Sequence, residues 1–240
     1  MPPGPVYFIA GGSGARRDIS VYHPTVDNVA CSISPPTLNK DWSYHSTFYH
    51  DNTIHLCGGY SGTASICISH SKGTEGWKTH TLTTSRKSHS SVVLHNRVYF
   101  IGGKDSSDNY VGAESTPLPL TDTPVLTTEH NLDYNGQYPC VAKIDEDTLV
   151  VTGGVDSSWN YLTTVATYNV KTRTYTQLPP LKQGRAYHGC GVLERGKDQI
   201  DRCGRGLYIT FKLIYHITDK TTRRVIRRLW GGGGTTAGVT

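Results

Sequence analysis

The sequence is poor in what most enzyme and metal motifs require. It has one methionine and six cysteines, and no two cysteines form a CxxC pair, so a zinc ribbon or a thioredoxin-type redox motif is not supported. No asparagine opens an N-x-S/T acceptor, and no basic segment followed by a long apolar one marks a signal peptide. No run approaches the roughly 18 apolar residues of a membrane-spanning helix. These absences lead to an expectation of cytoplasmic location with reduced thiols and no membrane contact. No Ser-His-Asp motif, carboxylate pair or helix-opening GxGxxG occurs. The GGSG at Gly11 to Gly14 ends a strand-like run and starts no helical pattern, which argues against a phosphate cradle. The eleven histidines show no ligand spacing: His45, His50 and His55 are five apart, and His89 and His95 six apart. Neither a metal nor another cofactor is expected.

Charge is scarce too, at 18% of residues with a net +5. From Asp198 onward eight Lys/Arg face three Asp/Glu, so the first 197 residues are neutral. The excess belongs to the tail and says little about what the main body binds. Arg223, Arg224, Arg227 and Arg228 form a basic cluster there, read as a solvated end, and no nucleic-acid partner is expected.

What is present is glycine, tyrosine and a repeat. Four apolar runs end in a glycine doublet: FIAGG (Phe8 to Gly12), HLCGG (His55 to Gly59), YFIGG (Tyr99 to Gly103) and VVTGG (Val150 to Gly154). The first glycines stand at 11, 58, 102 and 153, spaced by 47, 44 and 51. A period near 45 residues signals a stacked or radial architecture. Before each doublet lies a second strand-like run and a tight polar turn, as at His95-Asn96, and after it a loop and two more strands. LTTVATYNV (Leu162 to Val170) and RTYTQLPPL (Arg173 to Leu181) show these best. Four short antiparallel strands per unit describe a propeller blade. The doublet fits a crowded strand exit and a chain that turns with φ > 0.

These units resemble the kelch repeat, in which the Gly-Gly is followed by a spaced Tyr and Trp and then an Arg before the next inner strand. The clearest copy places Tyr168 at the first aromatic position, Tyr175 where Trp is usual, and Arg185 at the arginine. Another gives His70, Trp77, Arg86 and His89, while the first keeps Tyr22 but has Val29 for Trp. The third has no aromatic pair and places Asn135 where Arg is expected. The match covers about residues 5 to 195. It implies an all-β, kelch-type β-propeller of three full four-stranded blades with partial first and last blades. Six or seven blades are usual, so part of a larger ring is favoured over a small four-bladed ring. Residues 1–197 are assigned to the propeller and 198–240 to an atypical basic tail. In that tail GLYITFKLIYHI offers strand character without fitting the period, and an altered or truncated C-terminus is expected.

Antiparallel order puts the loops leaving each second strand and those entering each inner strand on one face. That face is expected to present Arg16, Arg17, Trp42, Tyr60, Arg86, Lys87, Lys104, Tyr110, Trp159, Asn160 and Arg185. Arg, Tyr and Trp dominate interface energetics, and arginine suits acidic peptides. Arg86 and Arg185 also sit at the recurring arginine position, where a guanidinium can bond loop carbonyls between blades. The resulting expectation is non-catalytic protein or peptide binding, as a substrate receptor or adaptor. Two alternatives stand beside it: a fragment of a copper enzyme resembling galactose oxidase, and a truncated product without independent function.

Overall fold

The computed structural model describes residues 7–10, 17, 19–22, 36–60, 62–71, 73–192 and 209–212. Every regular element among them is a strand. Two open the chain, β1 (Tyr7–Ala10) and β2 (Ile19–Tyr22), and pair with each other. A four-stranded sheet follows: β3 (Ser46–His50), β4 (Thr53–Cys57), β5 (Ile66–Ser71) and β6 (Lys78–Thr81). The next holds β7 (Ser90–Leu94), β8 (Arg97–Ile101), β9 (Glu114–Pro117) and β10 (Thr127–Thr128). A third holds β11 (Cys140–Lys143), β12 (Thr148–Thr152), β13 (Val165–Asn169) and β14 (Thr174–Gln177). Last come β15 (Gly189–Val192) and β16 (Ile209–Lys212), again a pair. Each four-stranded sheet is an antiparallel meander in chain order. The inner strands β3, β7, β11 and β15 are spatial neighbours in that sequence. This is a β-propeller-like all-β fold.

Local chemistry explains the meanders. The β3–β4 and β7–β8 hairpins turn on two residues each, Asp51-Asn52 and His95-Asn96, all four with φ between 44 and 55°. Two consecutive left-handed residues make the type I′ turn, whose twist matches that of paired strands. The second strand of each sheet is buried on both faces because a neighbouring sheet lies on either side. In β8, Val98 and Phe100 pack with Phe48, Leu82 and the Cys57–Cys67 pair of the β3 sheet. Tyr99 and Ile101 pack with Leu149, Val151 and Tyr168 of the β11 sheet. The core is therefore a row of clusters between sheets, the third lying between β1–β2 and the β3 sheet around Trp42, Leu56 and Ile68.

The doublets form the seams. Gly58, Gly59, Gly102, Gly103, Gly153 and Gly154 all have positive φ. A Cβ on Gly58 would stand 2.2 Å from the carbonyl oxygen of Arg86, in the loop entering the next sheet, and one on Gly153 would stand 2.2 Å from that of Arg185. The second glycine uses that closeness. The N–H of Gly59 donates to Arg86 O (2.8 Å), that of Gly103 to Gly136 O (2.8 Å) and that of Gly154 to Arg185 O (2.7 Å). Both reasons anticipated for glycine, crowding and left-handed backbone, operate at one place.

Two expectations change, while the small four-bladed ring, already disfavoured, is not closed among the described residues. The strand at 189–192 is not alone: β16, from within the basic tail, pairs with it through Gly189↔Lys212 to Val192↔Ile209. Among the described residues β15 pairs with β16 and β1 with β2, so no shared sheet joins β15 to β1 and closes a four-bladed ring. Nor are the thiols all reduced: Cys57–Cys67 and Cys140–Cys190 are disulfides. The arginine cluster at 223–228, and the fourth strand expected in the first unit, lie outside the described residues. No helix among them is long and apolar enough to cross a membrane.

Candidate binding face

The seam carbonyls align the sheets residue by residue, so Arg86, Gly136 and Arg185 are equivalent. The arginine position of the β11 sheet therefore falls on Gly136, one residue beyond Asn135. What fills the socket differs. In the β7 sheet Arg86 is fully buried, and its Nη1 donates to Gly102 O and Gly112 O at 2.7 Å each. Its Nη2 donates to Glu114, whose other oxygen accepts from Thr84. In the β11 sheet Tyr134 enters the space that Gly136 leaves open, and its hydroxyl donates to Gly153 O (2.8 Å), the counterpart of Gly102 O. Register puts Ala166 in the place that Glu114 takes in the β7 sheet. In the β3 sheet the same two places hold Trp42 and Ile68, packed together. Arg86 and Trp42 are thus structural and not presented on the surface, because a closed seam leaves them no path to solvent.

His45, His89 and His188 occupy equivalent positions, each one residue before its inner strand, and are structural too. His89 Nε2 shares a hydrogen bond with Ser46 Oγ of the preceding sheet (2.7 Å), and His188 Nε2 shares one with Thr152 Oγ1 (3.0 Å). Burial lowers the pKa of His45 and of His188 to about 4, and that of His89 well below its ordinary value. They are neutral latches between blades. Among the described residues no three His, Cys, Asp or Glu side chains lie together as metal ligands.

Two residues beyond each seam carbonyl comes a left-handed position: Ser88, Tyr138 and Tyr187, with Tyr44 as the β3-sheet equivalent, at φ 59, 53, 54 and 59°. They are linked around the inner strands, Ser88 N–H to Tyr44 O and Tyr138 N–H to Ser88 O, both 2.8 Å. Here the sequence does something the fold does not require. A bulky side chain with φ > 0 is strained, at about 1–3 kcal/mol each. Three of the four are nonetheless tyrosine, and Ser88 shows that a small residue suffices. Nor is core burial the reason, since Tyr44 is 50% exposed and Tyr187 40%.

These rings form a continuous surface. Tyr138 and Tyr187 lie 4.0 Å apart between centroids, Tyr44 and Tyr138 6.0 Å across the small Ser88, and Tyr44 and Tyr60 6.2 Å edge to face. Lys87 Nζ sits 5.1 Å over the Tyr60 ring and 2.8 Å from Asp108. Lys104 Nζ sits 5.0 Å from the Tyr110 ring, and the Tyr110 hydroxyl accepts from Gln137 Nε2 (3.2 Å). Burial and the neighbouring Tyr138 raise the pKa of the Tyr187 phenol, which stays a neutral hydrogen-bonding group.

Of the anticipated face residues, Tyr60, Lys87, Lys104 and Tyr110 come together here. Trp159 is exposed at a loop tip. The Asn160 side chain instead builds that loop, donating to Asp156 (3.0 Å). Arg17 is exposed and bonded to Asp41 (2.9 Å), and Arg185 is half-buried with Nε near Gln183 O (3.5 Å). Arg16 lies outside the described residues. Tyr44, Tyr138 and Tyr187 were missed. Alignment on the seams, counting two residues past each arginine position, is the signal that finds them.

No protein-family model matches the sequence, and no curated protein matches it. Among solved structures the chain is similar to YjhT, a kelch-like β-propeller protein, at a TM-score of 0.62 and 12% identity. The likeness covers 78% of this chain and 66% of that one, just under two-thirds of the other protein's length. At such identity it speaks for the fold alone: an all-β, β-propeller-like architecture.

Proposed function

We propose that the chain is a kelch-type propeller unit that binds a protein or peptide, without catalysis, on the face built by Tyr44, Tyr60, Tyr138 and Tyr187. The observation that carries this reading is the placement of three tyrosines, none of them fully buried, at strained left-handed positions where serine also fits. Strain that core burial does not offset belongs at working surfaces. Tyrosine supplies large, rigid, amphipathic contact area at low entropic cost. Lys87 and Lys104 border the rings, so acidic segments suit this face better than basic ones. An adaptor role follows from binding without chemistry.

A peptide-display selection on the oxidised chain tests this. Selected peptides are expected to bind with a Kd of about 1–100 μM and to lose at least about tenfold on Tyr44→Ser or Tyr187→Ser. Peptides whose affinity ignores both substitutions, or a selection that enriches nothing, would remove the tyrosine face as the binding surface.

A further inference from the structure

Tyr187 reaches the tyrosine surface from β15–β16, which among the described residues is a two-stranded sheet. Non-covalent contacts hold it against the β11 sheet. They include the seam bond from Gly154 N–H to Arg185 O (2.7 Å), a second from Arg185 N–H to Leu162 O (3.1 Å), the His188–Thr152 bond (3.0 Å) and the Tyr138–Tyr187 ring contact (4.0 Å). Among the described residues the covalent link between them is the Cys140–Cys190 disulfide. Cys140 follows Tyr138 by two residues and Cys190 follows Tyr187 by three, so the disulfide joins the same two chain segments that carry the Tyr138–Tyr187 ring contact. The other disulfide is placed differently. Cys57 and Cys67 are register partners on the hydrogen-bonded strands β4 and β5, within one sheet that holds them side by side with or without the sulfur bond.

We propose that Cys140–Cys190 is a thiol-exchange site that controls whether Tyr187 stays docked on the binding face. The reductant class is a dithiol. Its thiolate attacks Sγ of Cys190, which is half-buried where Cys140 is buried, and forms a mixed disulfide. The Cys140 sulfur leaves as thiolate and takes up a proton. The second thiol of the reductant then attacks the mixed disulfide, freeing Cys190 as a thiol and leaving the reductant as its own cyclic disulfide. Two electrons and two protons pass to the protein. With the staple open, β15–β16 keeps only non-covalent contacts to the β11 sheet and becomes a unit of lower local stability. Opening also relieves the left-handed strain at Tyr187. The tyrosine surface then loses the ring that stacks on Tyr138. The biological weight of this switch rests on the binding role proposed above, but its chemistry does not.

Hydrogen–deuterium exchange on the full chain tests it without any partner, comparing oxidised protein with protein fully reduced by dithiothreitol and checked by mass. Amides of residues 186–192 are expected to exchange at least about tenfold faster on reduction, while those of 53–71 change little. Cys140→Ser with Cys190→Ser should reproduce the effect without reductant, and Cys57→Ser with Cys67→Ser should not. Should the first pair fail to fold, the reduced natural chain still carries the comparison. Unchanged exchange at 186–192 after complete reduction, or equal acceleration in both segments, overturns the proposal. A fast-exchanging reduced form beside failed peptide selection would sink the binding role and keep the switch; the reverse pattern would do the opposite.

Discussion

The β7 and β11 sheets occupy neighbouring places in the same architecture and solve the same problem with different chemistry. Both must satisfy the carbonyl of the first seam glycine and fill the socket beneath it. The β7 sheet uses a buried ion pair, Arg86 with Glu114; the β11 sheet uses a neutral phenol, Tyr134, and has Ala166 at the register position of Glu114. The loops above repeat the lesson. Asp105 accepts from the N–H groups of Ser107 and Asn109 and from the Asn109 side chain; Asp156 accepts from Ser158 and Asn160 in the same way. Each loop then presents one left-handed tip residue, Asp108 at φ 65° and Trp159 at φ 62°. The scaffold is constant and the cargo is free.

The contrast is broken most sharply by removing the carboxylate. Glu114→Gln leaves the buried Arg86 charge without its partner and should cost about 3–5 kcal/mol in urea unfolding. Tyr134→Phe removes one neutral hydrogen bond and should cost about 1 kcal/mol. If the two losses are equal, the sockets are not held by charge in one sheet and by a neutral bond in the other.

A smaller effect separates the sheets by pH. His45, His89 and His188 have folded pKa values below the ordinary 6.5, so the unfolded chain binds more protons as pH falls beneath that value. Stability should be flat above pH 6.5 and decline towards pH 4, by about 1 kcal/mol per pH unit for each fully buried histidine and less for a partly solvated one. The β11 sheet has Pro139 at this position and contributes no histidine of this kind to the slope. Urea midpoints from pH 7 to 4 check the trend, and His89→Gln should make it shallower.

Loop substitutions sharpen the comparison at lower amplitude. Asp156→Ala should cost about 1 kcal/mol, whereas Trp159→Asp, which copies the sister loop, should fall within about 0.5 kcal/mol of the natural chain. The smallest stability change, and the most informative for function, is Tyr187→Asn. Asparagine tolerates left-handed backbone, so stability should hold or rise slightly, by at most about 1 kcal/mol. Peptide binding should be lost. A variant that binds normally would detach the strained tyrosine from recognition.

Much of this fold could be read from the glycine doublets alone. Their spacing fixes the unit, and steric crowding leaves no other residue for the position. The socket residues were harder. Arg86 matched a recurring pattern, but Tyr134 fills its socket from two residues upstream of the equivalent Gly136, a substitution in space and not in alignment. The binding face was half legible. Tyr60, Lys87, Lys104 and Tyr110 follow from loop topology. Tyr44, Tyr138 and Tyr187 owe their importance to a dihedral angle, which residue type does not announce. The disulfides were hidden for a related reason: Cys140 and Cys190 are 50 residues apart and meet only because inner strands of adjacent sheets are neighbours.

The hydrogen bonds from Gly59, Gly103 and Gly154 each cross into the following sheet, so none of these three blades closes its own upper edge. A single excised period would carry one donor with no acceptor and one acceptor with no donor, and should not fold unaided. Adding or removing a whole period, cut at equivalent points such as residues 89 and 139, would keep the backbone bond at each seam while changing the blade number, provided the socket side chains are rematched, Arg86 to a carboxylate above all. Such a molecule tolerates changes of size in steps of one repeat, and resists all others.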